Sequence, residues 1–410
     1  MLRVLIYSHE YPPFRGGAGI YSYDLANGLA KLGVNVHVLT MRPSNSAGET
    51  SAANPSDKVR IHYLESWQTR PRAAQCRLLR LHLRYRFHAV VISERAAQEI
   101  AAQIEPLFFR YAAVLHGTEI LNYFGKLPMN RVVEPARMLD YHKNALVNIA
   151  VSKATRELAA ELVDIDTWSL IAVQNGIDIN RLLAVDSNRV LLLRERYPDN
   201  AEFVFCLGRL DLDKGHDVLL PAFKLVREQR PQARLLIGGD GPYRRQLEEL
   251  CRSLGLSDSV EFLGNISDAD LPVYYGICDL FVLPSRSRSR WEGFGLVFLE
   301  ANYYGKPVVG GGEGGVREAI ADGESGLVVN PDSVPDVAAA IVRLLQDEQL
   351  RESLGRQGNR RVLEYFNSAR MANETLRALK EGIHRDTFGR RIKRLVGVFA
   401  GFMACQTLRR

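Results

Sequence analysis

The strongest constraint on this chain is an alternation of short apolar strands with loops and amphipathic helices that recurs in both halves. Residues 2–7 form an apolar run, 12–19 a Pro/Gly-rich loop, 20–32 an amphipathic helical pattern and 34–39 a second apolar run. That order is a βαβ unit, because adjacent parallel strands need a crossover connection and a helix commonly supplies it. Further strands are expected at 88–92, 112–115, 146–151 and 170–173, while 43–57, rich in Ser, Asn, Ala and Gly, reads as a loop. The pattern stops after Asn175-Gly176 and restarts, with strands expected at 203–207, 234–238, 260–263, 280–283, 307–309 and 327–329. The expected fold class is therefore α/β, with two doubly wound Rossmann-like domains at 1–175 and 176–370. A C-terminal helix and basic amphipathic tail are expected at 371–410. Such sheets bind ligands beyond the carboxyl ends of their strands, which implies a ligand cleft facing both sheets.

With 410 residues and 46% hydrophobic content, the chain can bury a core in each domain. Its five cysteines are scattered, without the spacing of a disulfide framework or a zinc site, so a reducing compartment and no structural metal are expected. Met1, Leu2 and Arg3 lead straight into the apolar residues 4–7, leaving no room for the separate charged and apolar regions of a signal peptide. The expected location is cytoplasmic.

The net charge of +6 and pI near 9.0 favour anionic ligands or surfaces without selecting among them. Arg70, Arg72, Arg77, Arg80, Arg84 and Arg86 interleave with Leu78, Leu79, Leu81, Leu83 and Tyr85, a basic helix with some apolar surface. In the tail, Arg390, Arg391, Lys393 and Arg394 precede an uncharged run at 395–405. As a helix that run is about 16 Å long, roughly half the hydrocarbon thickness, so it is too short to span a bilayer. Peripheral contact with the anionic inner face of the cell membrane is one reading, and a solvated helix with a frayed tail is the other. Nucleic-acid binding fits only the net charge, since no recognition module is present.

The segment WEGFGLVFLE puts Glu292 in a loop ahead of Gly293, Phe294 and Gly295, at the mouth of a helix that Leu296 continues. Glu300 falls about one and a half turns inside, some 7–8 Å along the axis. Two carboxylates flanking a helix N-terminus can hold the hydroxyl-rich ends of a molecule whose centre is a phosphate. The alternative, a capping glutamate and a solvated one, fits less well because apolar 296–299 leave Glu300 the lone charge in a buried-looking stretch.

Arg209 and Lys214 lie in GRLDLDKG, directly after the first strand of the second domain. Two cations there can neutralise a diphosphate and stabilise charge on a departing nucleotide. The turn from Gly238 to Pro242, with Pro242 at a first helical position, suits either the same pocket or a purely structural bend.

In the first domain, Gly16, Gly17, Ala18 and Gly19 let backbone approach an anion at a helix start. The spacing is not that of a dinucleotide fingerprint, and no acidic residue ends the second strand at Leu39 and Thr40. His116 follows the strand at 112–115, where it can donate a hydrogen bond to a transferring sugar or simply pack; His9 and Glu10 end the first strand. No His, Cys or carboxylate cluster has metal-ligand spacing.

The glycine loop at 16–19, HGTE from His116, VSK from Val151, NGID from Asn175, GRLDLDKG from Gly208, GDGP from Gly239 and EGFGLVFLE together resemble the retaining glycosyltransferase family 4, of the two-domain GT-B fold, over residues 2–370. The resemblance implies hexosyl transfer from a nucleotide-sugar to a lipid-linked or glycan acceptor, without a metal or a cofactor. It implies that Glu292 contacts sugar hydroxyls, that backbone around Gly293, Phe294, Gly295 and Leu296 receives sugar or phosphate oxygens, and that Glu300 holds the ribose. Arg209 and Lys214 would bind the diphosphate, His116 would lie near the transferring sugar, and Gly16 and Gly17 would shape the donor-phosphate and acceptor site. Attack and departure on the same face, with the leaving phosphate helping to deprotonate the acceptor, would leave no carboxylate as nucleophile.

Arg286, Arg288 and Arg290, just ahead of Glu292, resemble arginine-bearing versions in mannosyltransferases acting on phosphoinositide or related lipids. That ranks GDP-mannose above UDP-sugars. The alternatives are a UDP-sugar transferred to a soluble acceptor, a non-hydrolysing sugar-nucleotide epimerase, and a catalytically silent sugar-binding protein.

Overall fold

The computed structural model describes residues 1–13, 16–43, 58–65, 70–104, 107–125 and 131–386. It divides into two compact units, one made of Met1–Asp178 together with the chain from Ser368 onward, the other of Ile179–Asn367. The expected third segment, 371–410, is thus not separate where it is described: a helix at Ser368–His384 belongs to the first unit. The basic tail expected at 390–410 lies outside the described residues, as does nearly all of the loop expected at 43–57.

Among the described residues the first unit holds a parallel sheet of strands β1 (Arg3–Tyr7), β2 (Asn35–Met41), β3 (Val59–Leu64), β4 (Ala89–Ile92), β5 (Tyr111–Leu115), β6 (Val147–Ala150) and β7 (Leu170–Ala172), in the order β3-β2-β1-β4-β5-β6-β7. The second holds β8 (Glu202–Leu207), β9 (Ala233–Gly238), β10 (Val260–Gly264), β11 (Leu280–Leu283), β12 (Val308–Gly311) and β13 (Gly326–Val329), in the order β10-β9-β8-β11-β12-β13. Each order reverses once, between β1 and β4 in the first sheet and between β8 and β11 in the second. Loops leaving the carboxyl ends of strands at such a reversal diverge, and the crevice they leave is where open α/β sheets bind ligands.

Strands covered by helices on both faces need unbroken apolar runs, and β1, β4 and β5 have them. The period of two then divides each strand between two cores. Val4, Ile6, Val36, Val38 and Val91 pack with Leu25 and Leu29, whereas Leu5, Tyr7, Leu39, Val90 and Ile92 pack with Leu78, Leu79 and Leu81. The C-terminal helix closes the first of these cores through Met371, Ala372 and Leu379. It lies close against helix Gly17–Lys31 because Gly28 has no side chain: a Cβ there would come within 2.7 Å of Ala372 Cβ and Ser368 O.

Several sequence expectations shift. Strand β3 was not foreseen, since Arg60 and His62 interrupt its apolar pattern and its burial is partial, as suits an edge strand. The helix after the GDGP turn starts at Arg244 rather than Pro242. In helix Pro71–Tyr85, Leu78, Leu79 and Leu81 face the unit's own core, so the apolar surface expected there reduces to Leu83 beside exposed Arg72, Arg80 and Arg84. Cys206, Cys251 and Cys278 are free and buried, whereas Cys76 is disulfide-bonded, against the expected reduced set. Among the described residues no helix is long and apolar enough to cross a membrane.

Candidate active site

At the reversal point of the second sheet, β8 runs into Gly208–Gly215 and β11 into Pro284–Gly295, so the chain delivers its cations and carboxylates to one place. Lys214 ends a short 3-10 turn (Leu212–Lys214), and its ammonium lies 2.6 Å from Glu292 Oε2. Burial alone pulls the Lys214 ammonium toward lower pKa, but Glu292, with Asp211 and Asp213, outweighs it and the net shift is upward. Lys214 is therefore charged throughout the neutral range. Arg209, half-exposed, makes a looser contact, Nε to Asp211 Oδ2 at 3.3 Å, so its guanidinium remains accessible.

Asp213 organises the loop ahead of Glu292: its carboxylate accepts from the N–H groups of Arg288 (3.1 Å) and Ser289 (2.8 Å) and from the Ser289 hydroxyl, and its carbonyl accepts from Arg286 N–H at 2.8 Å. Ser287 Oγ accepts from Glu292 N–H at 3.2 Å, and Glu292 O accepts from Gly315 N–H at 2.9 Å. The Glu292 backbone is thus held at both its N–H and its carbonyl.

Helix Leu296–Tyr303 follows Gly295, whose φ of 90° lies in the left-handed region. A Cβ there would be strained by the backbone and would approach the Phe298 ring to 2.6 Å. The first N–H groups of such a helix have no carbonyl within the helix to bond, and groups of that kind can receive the oxygens of an anion.

Glu300, buried within this helix, is not without partners: Arg181 Nη2 donates to its Oε1 at 2.6 Å and the Tyr275 hydroxyl to its Oε2 at 3.4 Å. The structure therefore brings together Lys214, Glu292, Gly293, Phe294, Gly295 and Leu296, with Arg209 and Glu300 on adjoining segments of the same unit.

The three arginines ahead of Glu292 separate. Arg286, only 1% exposed, donates to Asp217 at 2.7 Å, to Asp332 Oδ1 at 3.2 Å and to Leu212 O at 3.1 Å. It is an internal tie whose guanidinium is used up within the unit. Arg288 pairs with Asp332 at 2.6 Å on the surface, and Arg290 is exposed.

In the first unit, the residues after β1, β4 and β5 meet in the same way. Glu94 caps helix Arg95–Gln103, accepting from Ala96 N–H (2.6 Å) and Ala97 N–H (2.8 Å), and also accepts from His9 N–H at 3.0 Å. Burial nonetheless pushes its carboxyl upward, against those three donors. His116 donates from Nε2 to Ser93 O at 2.8 Å, and Tyr21 stands edge-on to its ring. Because a carbonyl only accepts, Nε2 carries the proton of that bond, and the neutral imidazole presents Nδ1 as an acceptor.

Gly16 lies against Glu10, whose carboxylate a Cβ would strike, while Gly17 opens helix Gly17–Lys31 with clear space around it. His9, held low at about 4 by burial, is neutral and hydrogen-bonded to the Tyr7 hydroxyl at 3.0 Å. Sequence reasoning missed Arg181 and Asp213; Asp213 lies within GRLDLDKG and Arg181 three residues past NGID, but their partners are remote in sequence. Among the described residues no group of three His, Cys, Asp or Glu side chains is placed to hold a metal ion.

Residues 15–181 match the family model "Glycosyltransferase Family 4" and residues 194–361 the model "Glycosyl transferases group 1". The chain is 30% identical over 374 residues to a GDP-mannose-dependent alpha-(1-6)-phosphatidylinositol monomannoside mannosyltransferase of Mycolicibacterium smegmatis, covering 88% of this chain and 94% of that one. The protein of the same description from Mycobacterium tuberculosis is 29% identical over 366 residues, covering 87% and 93% of the two chains. In structure it is similar to sucrose-phosphate synthase from Thermosynechococcus elongatus, with a TM-score of 0.75 and 22% identity over 93% of this chain and 99% of that one. It is likewise similar to Anabaena HepE in complex with UDP and glucose, with a TM-score of 0.75 and 19% identity over 93% and 100%. Both units thus carry the Rossmann-like sheets of a GT-B protein, and the chain belongs to the family 4 glycosyltransferases, enzymes of glycosyl transfer.

Proposed function

We propose that this chain is a retaining, metal-independent hexosyltransferase that moves mannose from GDP-mannose to a lipid-linked acceptor, acting in the cytoplasm at the inner face of the cell membrane. The observation that carries the reading is the Lys214–Glu292 pair, 2.6 Å apart at the mouth of helix Leu296–Tyr303. An ammonium, a carboxylate and a helix N-terminus at one reversal point suit a ligand that alternates hydroxyl-rich and anionic parts. The GDP-mannose-dependent mannosyl transfer for which the mycobacterial relatives are named supports mannose and guanine among such ligands.

In this reading Glu292 accepts hydrogen bonds from the sugar, Glu300 from the ribose, and the backbone around Gly293, Phe294, Gly295 and Leu296 donates to sugar and phosphate oxygens. Arg209 and Lys214 face the diphosphate, where two fixed cations do the neutralising that a divalent ion would otherwise do. As the bond from the anomeric carbon to the phosphate oxygen breaks, the acceptor oxygen bonds to that carbon on the same face. The acceptor proton passes to the departing phosphate. His116 is assigned to the transferring sugar, and Gly16 and Gly17 to the donor phosphate and the acceptor. The exposed arginine row of helix Pro71–Tyr85 supplies electrostatic attraction to anionic lipid.

The test is a panel of radiolabelled nucleotide-sugars offered with a membrane lipid extract. The reading expects label from GDP-mannose in the organic phase. Label transferred only from a UDP-sugar, or only to a water-soluble acceptor, contradicts it.

A further inference from the structure

Glu300 is 119 residues from Arg181, yet their side chains meet at 2.6 Å with 11% and 8% of their surfaces exposed. Arg181 ends a single 3-10 turn (Ile179–Arg181), a short element with no core of its own. The segment is fastened by a second tie, the Tyr304 hydroxyl donating to Leu183 O at 2.8 Å. Tyr304 in turn stacks on Tyr275, ring centroids 5.0 Å apart, and Tyr275 is the other donor to Glu300. Burial, and then the charge of Glu300, push the Tyr275 hydroxyl well above its ordinary range, so it stays protonated and donates.

A carboxylate has about four lone-pair positions. One donor on each oxygen leaves the other lone pairs available and fixes the plane in which they point. A carboxylate so held suits two neighbouring hydroxyls on one face of a five-membered ring.

We propose that Arg181 is a positioning residue for donor recognition, holding Glu300 so that its free lone pairs accept from the vicinal 2′- and 3′-hydroxyls of the nucleotide's ribose. This rests on the reading of Glu300 as the ribose ligand. Arg181 touches no reacting atom; it sets the enzyme's preference for ribonucleotides over 2′-deoxyribonucleotides. A site built to accept a hydroxyl rejects the analogue that lacks it, because the acceptor is left without a donor. A carboxylate free to rotate loses that discrimination while still binding the phosphates elsewhere.

The test compares dissociation constants of GDP and 2′-deoxy-GDP, with UDP and 2′-deoxy-UDP in parallel, for wild type, Glu300→Ala, Arg181→Met and Arg181→Lys. Wild type is expected to favour the tighter-binding ribonucleotide over its deoxy form by about tenfold or more, the size of one hydrogen bond to a charged group. Glu300→Ala should abolish the preference, and Arg181→Met should reduce it to near parity with little change in deoxynucleotide affinity. Arg181→Lys should fall between and guards against a misfolded Met variant. A preference lost in Glu300→Ala but kept in both Arg181 variants overturns this proposal alone. A preference kept in Glu300→Ala overturns the ribose reading and this proposal with it. Equal loss of affinity for both nucleotides in the Arg181 variants shows a merely structural tie and also overturns it.

Discussion

Lys214 Nζ lies 2.6 Å from Glu292 Oε2 across 78 residues of sequence, so a cation read as a diphosphate ligand and a carboxylate read as a sugar ligand are one ion pair before any donor arrives. Each fixes the other. If both act on the donor as proposed, Lys214→Met should lower kcat/KM by about 10²–10³-fold, the loss seen when one preorganised electrostatic donor is removed. Glu292→Gln should weaken it less, and the double variant should cost less than the sum of the two. Steady-state kinetics on the four proteins give that coupling, about 1–3 kcal/mol for contacting groups.

Retention of charge on Lys214 sets a pH expectation. Its folded pKa is raised above the unfolded value of about 10.4, so the pair's contribution to stability is fully present below that value and is lost only as pH rises through the folded pKa. No loss of kcat/KM from Lys214 should therefore appear between pH 7 and pH 9 in a pH–rate profile. An alkaline limb within that range would assign the titration to another group. Because Arg209 and Lys214 are proposed to neutralise the diphosphate, turnover should also be unchanged by EDTA.

His216 supplies the opposite limb. It is fully buried, neither ring nitrogen has a hydrogen-bond partner, and burial lowers its pKa to about 4. A depressed folded pKa contributes stability above the unfolded value of about 6.5 that is lost as pH falls toward the folded one. His142, buried against Asn148 Oδ1 at 2.8 Å and also near 4, adds to the same trend. Thermal melts should show Tm falling from pH 6.5 to pH 4. His216→Met should raise Tm more at pH 5 than at pH 7.5.

The arginines of the Arg286–Arg290 run should separate by stability. Arg286→Ala removes an internal tie to Asp217, Asp332 and Leu212 O, and should cost about 2–4 kcal/mol, below the full cost of breaking a buried pair because both aspartates are partly exposed. Arg288→Ala, at the surface, should cost under about 1 kcal/mol. Urea denaturation of the two variants checks the order.

Gly295→Ala tests the helix mouth. At φ 90° with Phe298 against the missing Cβ, alanine should cost about 1–2 kcal/mol of backbone strain and displace the N–H groups that follow. Affinity for the nucleotide should fall along with Tm, as calorimetric titration and a melt would show.

The architecture was legible because its signal is local. Unbroken apolar runs such as Val4–Tyr7 and the loops at Gly208 and Glu292 mark buried parallel strands and their carboxyl ends without knowledge of neighbours. Strand β3 escaped because Arg60 and His62 break its apolar run, and sequence does not identify the sheet edge at which it lies. Arg286 and Arg288 look alike in PSRSRSR, and only the distant Asp217 and Asp332 distinguish them. The return of the C-terminal helix depends on Gly28 meeting Ala372, a fit of shape that no periodicity encodes. Positions of candidate residues could thus be read from the chain, whereas the pairings that orient them, Lys214 with Glu292 and Arg181 with Glu300, needed three dimensions.

The most direct test of the central claim follows the anomeric carbon. GDP-α-mannose labelled with ¹³C at C1 is incubated with the enzyme and membrane lipid extract, and the lipid product is examined by NMR for its one-bond C1–H1 coupling. The account predicts an α-linked mannolipid. A β-linked product, or label appearing only as free mannose or as an epimerised nucleotide-sugar, contradicts it.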